Sequence, residues 1–165
     1  IKLAWAITRD AREVHEQYRR AVFNFLAVNR DDHAKNHAYL LSEDGKWGLA
    51  PAYDLTFSRG PGGEHWTSFL GEGKTPSMAT LLDLAAKGSI GRSDALMIID
   101  QVQDAVGKFS VLCKPHCVPL GTIAPLLAEQ AGTGTSSSRK RDSVITTNRP
   151  KLTLSLYPAP HVPGG

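Results

Sequence analysis

The chain has 165 residues, 41% of them hydrophobic, which is enough for one domain with its own core. Its net charge of +3 is modest, and much of the excess lies near Arg139-Lys140-Arg141, so the charge does not demand a nucleic-acid partner. Two cysteines exclude a disulfide framework and favour the cytoplasm, and no apolar run approaches the roughly 20 residues of a membrane span. We therefore expect a cytoplasmic domain without a membrane segment.

The first half of the chain predicts a helix followed by a hairpin. Apolar residues recur at three- and four-residue spacing over residues 10–28, which is typical of an amphipathic helix. Residues 37–49 predict a β-hairpin, because Asp44-Gly45 can adopt the positive φ values of a tight turn. Such a hairpin would carry the chain out and return it to the same end of the domain.

A loop and two further helices are expected next. Residues 58–74 are rich in Gly and Pro, and we interpret them as a mobile loop near substrate. Thr75-Pro76-Ser77 predicts a helix start with Pro at an early helical position, and Gly88 predicts its end. Ser93-Asp94 is expected to cap a third helix.

The composition changes near the C-terminal end of the chain. A short helix is expected near residues 121–130. From Gly132 onward the residues are mostly Gly, Ser, Thr, Lys, Arg and Pro. We therefore divide the chain into a domain over residues 1–130 and a flexible tail over residues 131–165.

Residues 31–36, which read Asp-Asp-His-Ala-Lys-Asn, and the later Asp54 form the most informative pattern. Phosphoryl transfer rests mainly on positioning and charge neutralisation, so its sites consist of spaced carboxylate, amide and ammonium groups. Asp31 can accept a hydroxyl proton, whereas Asn36 and Asp54 can hold Mg²⁺. The five-residue step from Asp31 to Asn36 matches the Asp-to-Asn step of the protein-kinase catalytic loop. The hairpin between Asn36 and Asp54 would bring both ligands to one end.

Residues 23–37 and 47–55 resemble the catalytic and metal-binding segments of HipA-like serine/threonine toxin kinases. The resemblance implies a mainly α-helical, protein-kinase-like C-terminal lobe with a small β-hairpin. It also implies one catalytic base, a nucleotide-binding set and two metal ligands within that set. These are Asp31 as the base; His33, Ala34, Lys35, Asn36, Tyr53 and Asp54 around ATP; and Asn36 and Asp54 on Mg²⁺.

The same resemblance implies an activity and a biological setting. The activity is ATP- and Mg²⁺-dependent phosphorylation of a protein serine or threonine, with a translation component such as an aminoacyl-tRNA synthetase as substrate. The chain would be the toxin of a bacterial type II toxin–antitoxin system. Its partner would be a helix-turn-helix antitoxin, through which alone it would meet nucleic acid. In one respect the sequence departs from the family: the usual Gly-Asn-Thr before the first acid is Val28-Asn29-Arg30 here.

Two alternatives remain open from the sequence. The Asp-x-His-x-x-Asn spacing also resembles the loop of phosphatidylinositol kinases, which would make the chain a lipid kinase. No glycine-rich phosphate-covering loop precedes Asp31, so we interpret the chain as a C-terminal lobe without its N-terminal lobe and expect it to be nearly inactive alone. A non-catalytic partner-binding remnant is the second alternative.

Asp32 is interpreted as a solvated or capping acid, and Trp66 as a packing residue.

Overall fold

The computed structural model describes residues 1–113, which form five α-helices and one two-stranded antiparallel sheet. Short 3-10 turns cover Ala34–Asn36 and Pro61–Gly63. The expected helix near 121–130, the expected tail over 131–165 and the boundary at residue 130 lie outside the described residues. The elements are α1 (Lys2–Thr8), α2 (Ala11–Leu26), β1 (Tyr39–Leu41), β2 (Trp47–Leu49), α3 (Met78–Lys87), α4 (Arg92–Gly107) and α5 (Phe109–Cys113).

Helix α2 is the central element, and its predicted apolar face is confirmed. Asp10 caps it, because the Asp10 carboxylate accepts a hydrogen bond from the Arg12 backbone N–H at 2.8 Å. The core lies where α2 packs against α1, α3 and α4. Burial of each large apolar side chain there contributes about 1.5–3 kcal/mol. The largest fully buried side chains on these helices are Tyr18, Val22, Leu81, Ile98 and Ile99.

The starts of α3 and α4 differ from expectation by one or two residues. Ser77 caps α3 in a capping box: the Ser77 hydroxyl accepts from the Thr80 backbone N–H, and the Ser77 backbone N–H donates to the Thr80 hydroxyl. Pro76 therefore lies just before the cap and not inside the helix. Helix α4 begins after Gly91, so Ser93 and Asp94 lie in its first turn instead of capping it. An acidic residue in that position still stabilises the helix dipole.

The predicted hairpin is confirmed as a pair of strands with a five-residue loop. Tyr39 pairs with Leu49, and Leu41 pairs with Trp47. Only Gly45 in the loop has a positive φ, +77°, so the connection is longer than the tight two-residue turn that Asp44-Gly45 suggested. Such a loop still reverses the chain and brings residue 50 back beside residue 38.

Two charged side chains of α2 attach this hairpin to the core. A Glu13 carboxylate oxygen accepts a hydrogen bond from the Leu49 backbone N–H at 2.9 Å. Arg20, which is only 8% exposed, donates from Nη2 to the Ala50 carbonyl at 2.6 Å. Hydrogen bonds to charged groups contribute about 1.5–3 kcal/mol each. Helix α2 therefore fixes the point at which the chain leaves β2 towards Asp54.

The chain leaves α2 through a residue in the left-handed region, Val28, whose φ is +53°. This is unfavourable for a β-branched side chain and readily adopted by glycine. The turn is held by hydrogen bonds of the next residue, Asn29, whose backbone N–H and side-chain amide both donate to Asn24. Ser58 pairs with the same stretch through its backbone. The backbone therefore retains the turn that a glycine would make, although Val occupies the position.

We expect Val28→Gly to be more stable than Val28→Ala by about 1 kcal/mol, because both lose the buried side chain and only glycine relieves the left-handed strain. Urea denaturation gives the free energy of unfolding of both variants. Val22, buried within helix α2, is the matched control, and there Gly should be less stable than Ala by about 1 kcal/mol. The same order at both positions would contradict the strain at Val28.

Candidate functional site

Asn36 and Asp54, which are 18 residues apart in sequence, lie in direct contact. The Asn36 side-chain N–H donates to Asp54 Oδ2 at 3.0 Å and to the Asp31 carbonyl at 3.0 Å. The contact follows from the hairpin, which returns the chain beside its starting point. Asn36 thus connects the loop that carries the first acid to the segment that carries the second. The structure brings the three residues of the predicted acid–amide–acid pattern together at one end of the hairpin.

A single 3-10 turn over Ala34–Asn36 sets the direction of Asn36. Its hydrogen bonds run from the Asn36 N–H to the His33 carbonyl and from the His37 N–H to the Ala34 carbonyl. Ala34 and Lys35 are exposed on this turn. The Tyr53 hydroxyl donates to the Lys35 carbonyl at 2.6 Å, so the segment before Asp54 is attached to the turn a second time. The predicted nucleotide-binding residues therefore form one surface.

Asp31 keeps its carboxylate accessible. Its side chain is 46% exposed, and His33 Nε2 lies 3.8 Å from Asp31 Oδ1, which is longer than a hydrogen bond. The other ring nitrogen of His33, Nδ1, is buried and has no hydrogen-bond partner within the described residues. The Asp31 carboxylate oxygens therefore remain available to a hydroxyl group that approaches from solvent.

Asp54 has a left-handed backbone, with φ at +54°. Asp tolerates this region better than most residues, yet the conformation still costs free energy. It turns the Asp54 side chain towards Asn36 although the neighbouring residues are all exposed. Strain of this kind is often found at functional sites, where surrounding contacts maintain it.

The interpretation of Asp32 as a solvated or capping acid is wrong, because the residue is buried and caps no helix. Its side chain is 2% exposed and accepts hydrogen bonds from His65 Nδ1 at 3.0 Å and from the Thr67 backbone N–H at 3.1 Å. The adjacent Asp31 is 46% exposed, so the two neighbouring acids lie on opposite sides of the loop. Nothing in the sequence pointed to His65 as the partner of Asp32.

The interpretation of Trp66 as a packing residue is also wrong, because its side chain is exposed. It is 60% exposed, and its ring meets His33 edge-on, with the centroids 6.5 Å apart and the planes at 80°. The segment that carries it was expected to be a mobile loop. The structure instead shows that its backbone is bonded, since the Trp66 N–H donates to the Arg30 carbonyl at 3.2 Å. The exposed Trp66 therefore contacts His33 through its ring and Arg30 through its backbone, close to Asp31 in sequence.

The oxygen atoms of Asn36 and Asp54 suit a hard cation. Residues 1–113 contain no group of three or more His, Cys, Asp or Glu side chains placed to hold a metal ion, as a structural zinc site would require. Mg²⁺ differs, because one or two protein ligands with water and phosphate oxygens usually complete its shell. The Asn36 amide nitrogen lies 3.0 Å from Asp54 Oδ2, so the Asn36 amide and the Asp54 carboxylate are neighbours on the same surface.

The described part of the chain is thus a mainly helical domain whose acid–amide–acid site is assembled around a two-stranded hairpin. The family model described as HipA-like C-terminal domain matches residues 1–109 of the 165. The chain belongs to this family. No curated protein matches it. Within residues 1–113, no helix has the length and apolar character needed to cross a membrane.

Burial, reinforced by the nearby positive charge of Arg20, lowers the pKa of His37 below its ordinary 6.5. The unfolded state then binds the proton more readily, so this stability is present above about pH 6.5 and is lost as the pH falls below it. We expect the thermal midpoint to decrease between pH 7.5 and 5.5, and to decrease less in His37→Asn. Equal decreases in His37→Asn and wild type would contradict this role.

Proposed function

We propose that the chain is the C-terminal catalytic lobe of an ATP- and Mg²⁺-dependent serine/threonine protein kinase with a protein-kinase-like fold. The observation that carries the proposal is the contact of Asn36 with both Asp54 and the backbone of Asp31. One candidate metal ligand is thereby bonded both to the backbone of the candidate base and to the second candidate ligand. Membership of the HipA-like family supports the same chemistry.

Asp31 is the proposed catalytic base. Its half-exposed carboxylate can accept a hydrogen bond from the serine or threonine hydroxyl of a substrate and take the proton as the oxygen attacks. The adjacent His33 lies at 3.8 Å, so it does not block the carboxylate by a direct hydrogen bond. Asp31 thus faces the acceptor, whereas Asn36 and Asp54 face the nucleotide.

Asn36 and Asp54 are the proposed ligands of Mg²⁺. When bound, the ion would neutralise negative charge on the ATP phosphates, which is the main electrostatic requirement of this reaction. The exposed Lys35 ammonium can pair with a phosphate, and Ala34, His33 and Tyr53 border the nucleotide. The Tyr53 hydroxyl bond to the Lys35 carbonyl holds that border together.

The proposal includes a second lobe and a biological role. Kinases hold the phosphates between two lobes, so we propose that residues 1–113 act with a nucleotide-covering lobe and are nearly inactive alone. The family supports the role of toxin in a bacterial type II toxin–antitoxin system. We propose a cytoplasmic protein substrate of the translation apparatus, such as an aminoacyl-tRNA synthetase. A helix-turn-helix antitoxin would be the partner and the indirect link to nucleic acid.

In an enzyme rebuilt by joining this chain to a HipA-like N-terminal lobe, Asp31→Asn should lower phosphoryl transfer at least about 100-fold, because the base is lost. ATP affinity should stay within about twofold, since Asp31 does not face the nucleotide. Radiolabelled ATP with protein or phosphatidylinositol acceptors measures the transfer, and protein should be the acceptor. Asp100→Asn, an exposed acid of α4, is the control. Near wild-type transfer by Asp31→Asn would contradict the assignment.

In the same rebuilt enzyme, Asp54→Ala should weaken Mg²⁺-dependent ATP binding by about tenfold or more, because a full negative charge beside the ion is removed. Asn36→Ala removes a neutral ligand and should weaken it less. Isothermal titration with and without Mg²⁺ measures both variants against Asp31→Asn, which should behave as wild type. If Asp54→Ala binds ATP with the Mg²⁺ dependence of wild type, Asp54 is not a ligand.

A further inference from the structure

The Gly-rich stretch after Asp54 contains a closed loop, residues 65–73, which we call the docked loop. The His65 N–H donates to the Gly73 carbonyl at 2.8 Å and closes its base. At its tip, Phe69 and Glu72 exchange backbone hydrogen bonds of 2.7 and 3.1 Å around two residues with positive φ, Leu70 and Gly71. The docked loop is therefore a hydrogen-bonded unit that can be held from a few points.

Asp32 is the main point that holds it. Its two carboxylate oxygens accept from two different residues of the loop, Oδ2 from His65 Nδ1 and Oδ1 from the Thr67 backbone N–H. The Asp32 carbonyl accepts a third bond, from the Thr67 hydroxyl, at 2.5 Å. Because a carboxylate only accepts, His65 must carry its proton on Nδ1. The Asp32 and His65 side chains are 2% and 3% exposed, so water does not replace these bonds.

Aromatic packing reinforces the docked loop from the side of the core. The His65 ring meets Phe69 edge-on at 5.0 Å, and Phe69 meets Phe25 of α2 at 6.3 Å. These contacts fix the inner side of the loop. Its outer side carries the exposed Trp66, which lies against His33, the second residue after Asp31.

We propose that Asp32 is a latch that positions the docked loop, and with it Trp66, against His33 near the candidate base. The Asp32 side chain is buried whereas that of the adjacent Asp31 is 46% exposed, so the two acids lie on opposite sides of the loop. The same buried carboxylate holds the docked loop, whose exposed Trp66 lies against His33, two residues after Asp31. This assignment rests on the proposed function for its purpose, although the latch between Asp32, His65 and Thr67 exists without it.

The test compares Asp32→Ala and Asp32→Asn in the 165-residue chain by nuclear magnetic resonance. Three signals report on the latch: hydrogen exchange of the Thr67 amide, the His65 Nδ1–H proton, and the Trp66–His33 proton contact. In Asp32→Ala, Thr67 exchange should accelerate at least about tenfold more than exchange of the core amide of Ile99. The His65 and Trp66–His33 signals should be lost. Asp32→Asn keeps one acceptor and should restore part of the protection.

Asp31→Asn is the matched control, because it alters the neighbouring exposed acid and should leave all three signals as in wild type. Equal acceleration at Thr67 and Ile99 would mean that Asp32 only adds global stability, and would overturn the proposal. Persistence of the Trp66–His33 contact in Asp32→Ala would overturn it as well. If Asp32→Ala does not fold, the same ratio in Asp32→Asn decides. None of these signals depends on phosphoryl transfer, so an inactive rebuilt enzyme would refute the proposed function and not the latch.

Discussion

The attachment of the hairpin to α2 is the interaction on which the site depends. Asp31 follows α2, and Asp54 follows β2, so the distance between the two acids is set by how β2 is held on that helix. Glu13 and Arg20 hold it through the backbone of Leu49 and Ala50, with Arg20 almost fully buried. Because Arg20 is buried, a shift of the hairpin would leave its Nη2 donor without the Ala50 carbonyl, and an unsatisfied buried donor is costly.

Two left-handed residues mark the boundaries of the site, Val28 before the first acid and Asp54 as the second. Neither is glycine, so each conformation is maintained by its surroundings. At Val28 the surroundings are the hydrogen bonds of Asn29 and Ser58, and at Asp54 the bond from Asn36 contributes. Such strain is stored where a fold constrains the direction of a side chain closely. The backbone conformation therefore helps to fix the direction of the side chains at the site, which are themselves exposed.

Sequence reasoning succeeded where local periodicity or a local turn decides the structure. Helix α2 and the hairpin follow from residue spacing and from Gly45, and the meeting of Asn36 with Asp54 follows from the hairpin. It failed for Asp32 and His65, which are 33 residues apart and joined across a loop without periodicity. It also failed for Trp66, because a large aromatic residue is normally buried and only tertiary contacts reveal otherwise.

The two sides of the site are held by different partners. On one side, two bonds join the segment before and at Asp54 to the 3-10 turn. The Asn36 side chain donates to Asp54, and the Tyr53 hydroxyl donates to the Lys35 carbonyl. On the other, Asp32 carries the docked loop and its Trp66. Residues 31–36 belong to both sides, because Asp31 contributes a carbonyl and Asn36 an amide to one side, and Asp32 contributes a carboxylate to the other. Because these six consecutive residues belong to both sides, a shift of this loop would displace the candidate base and the candidate metal ligands together. A substitution in Tyr53 or in the docked loop would instead disturb one side first.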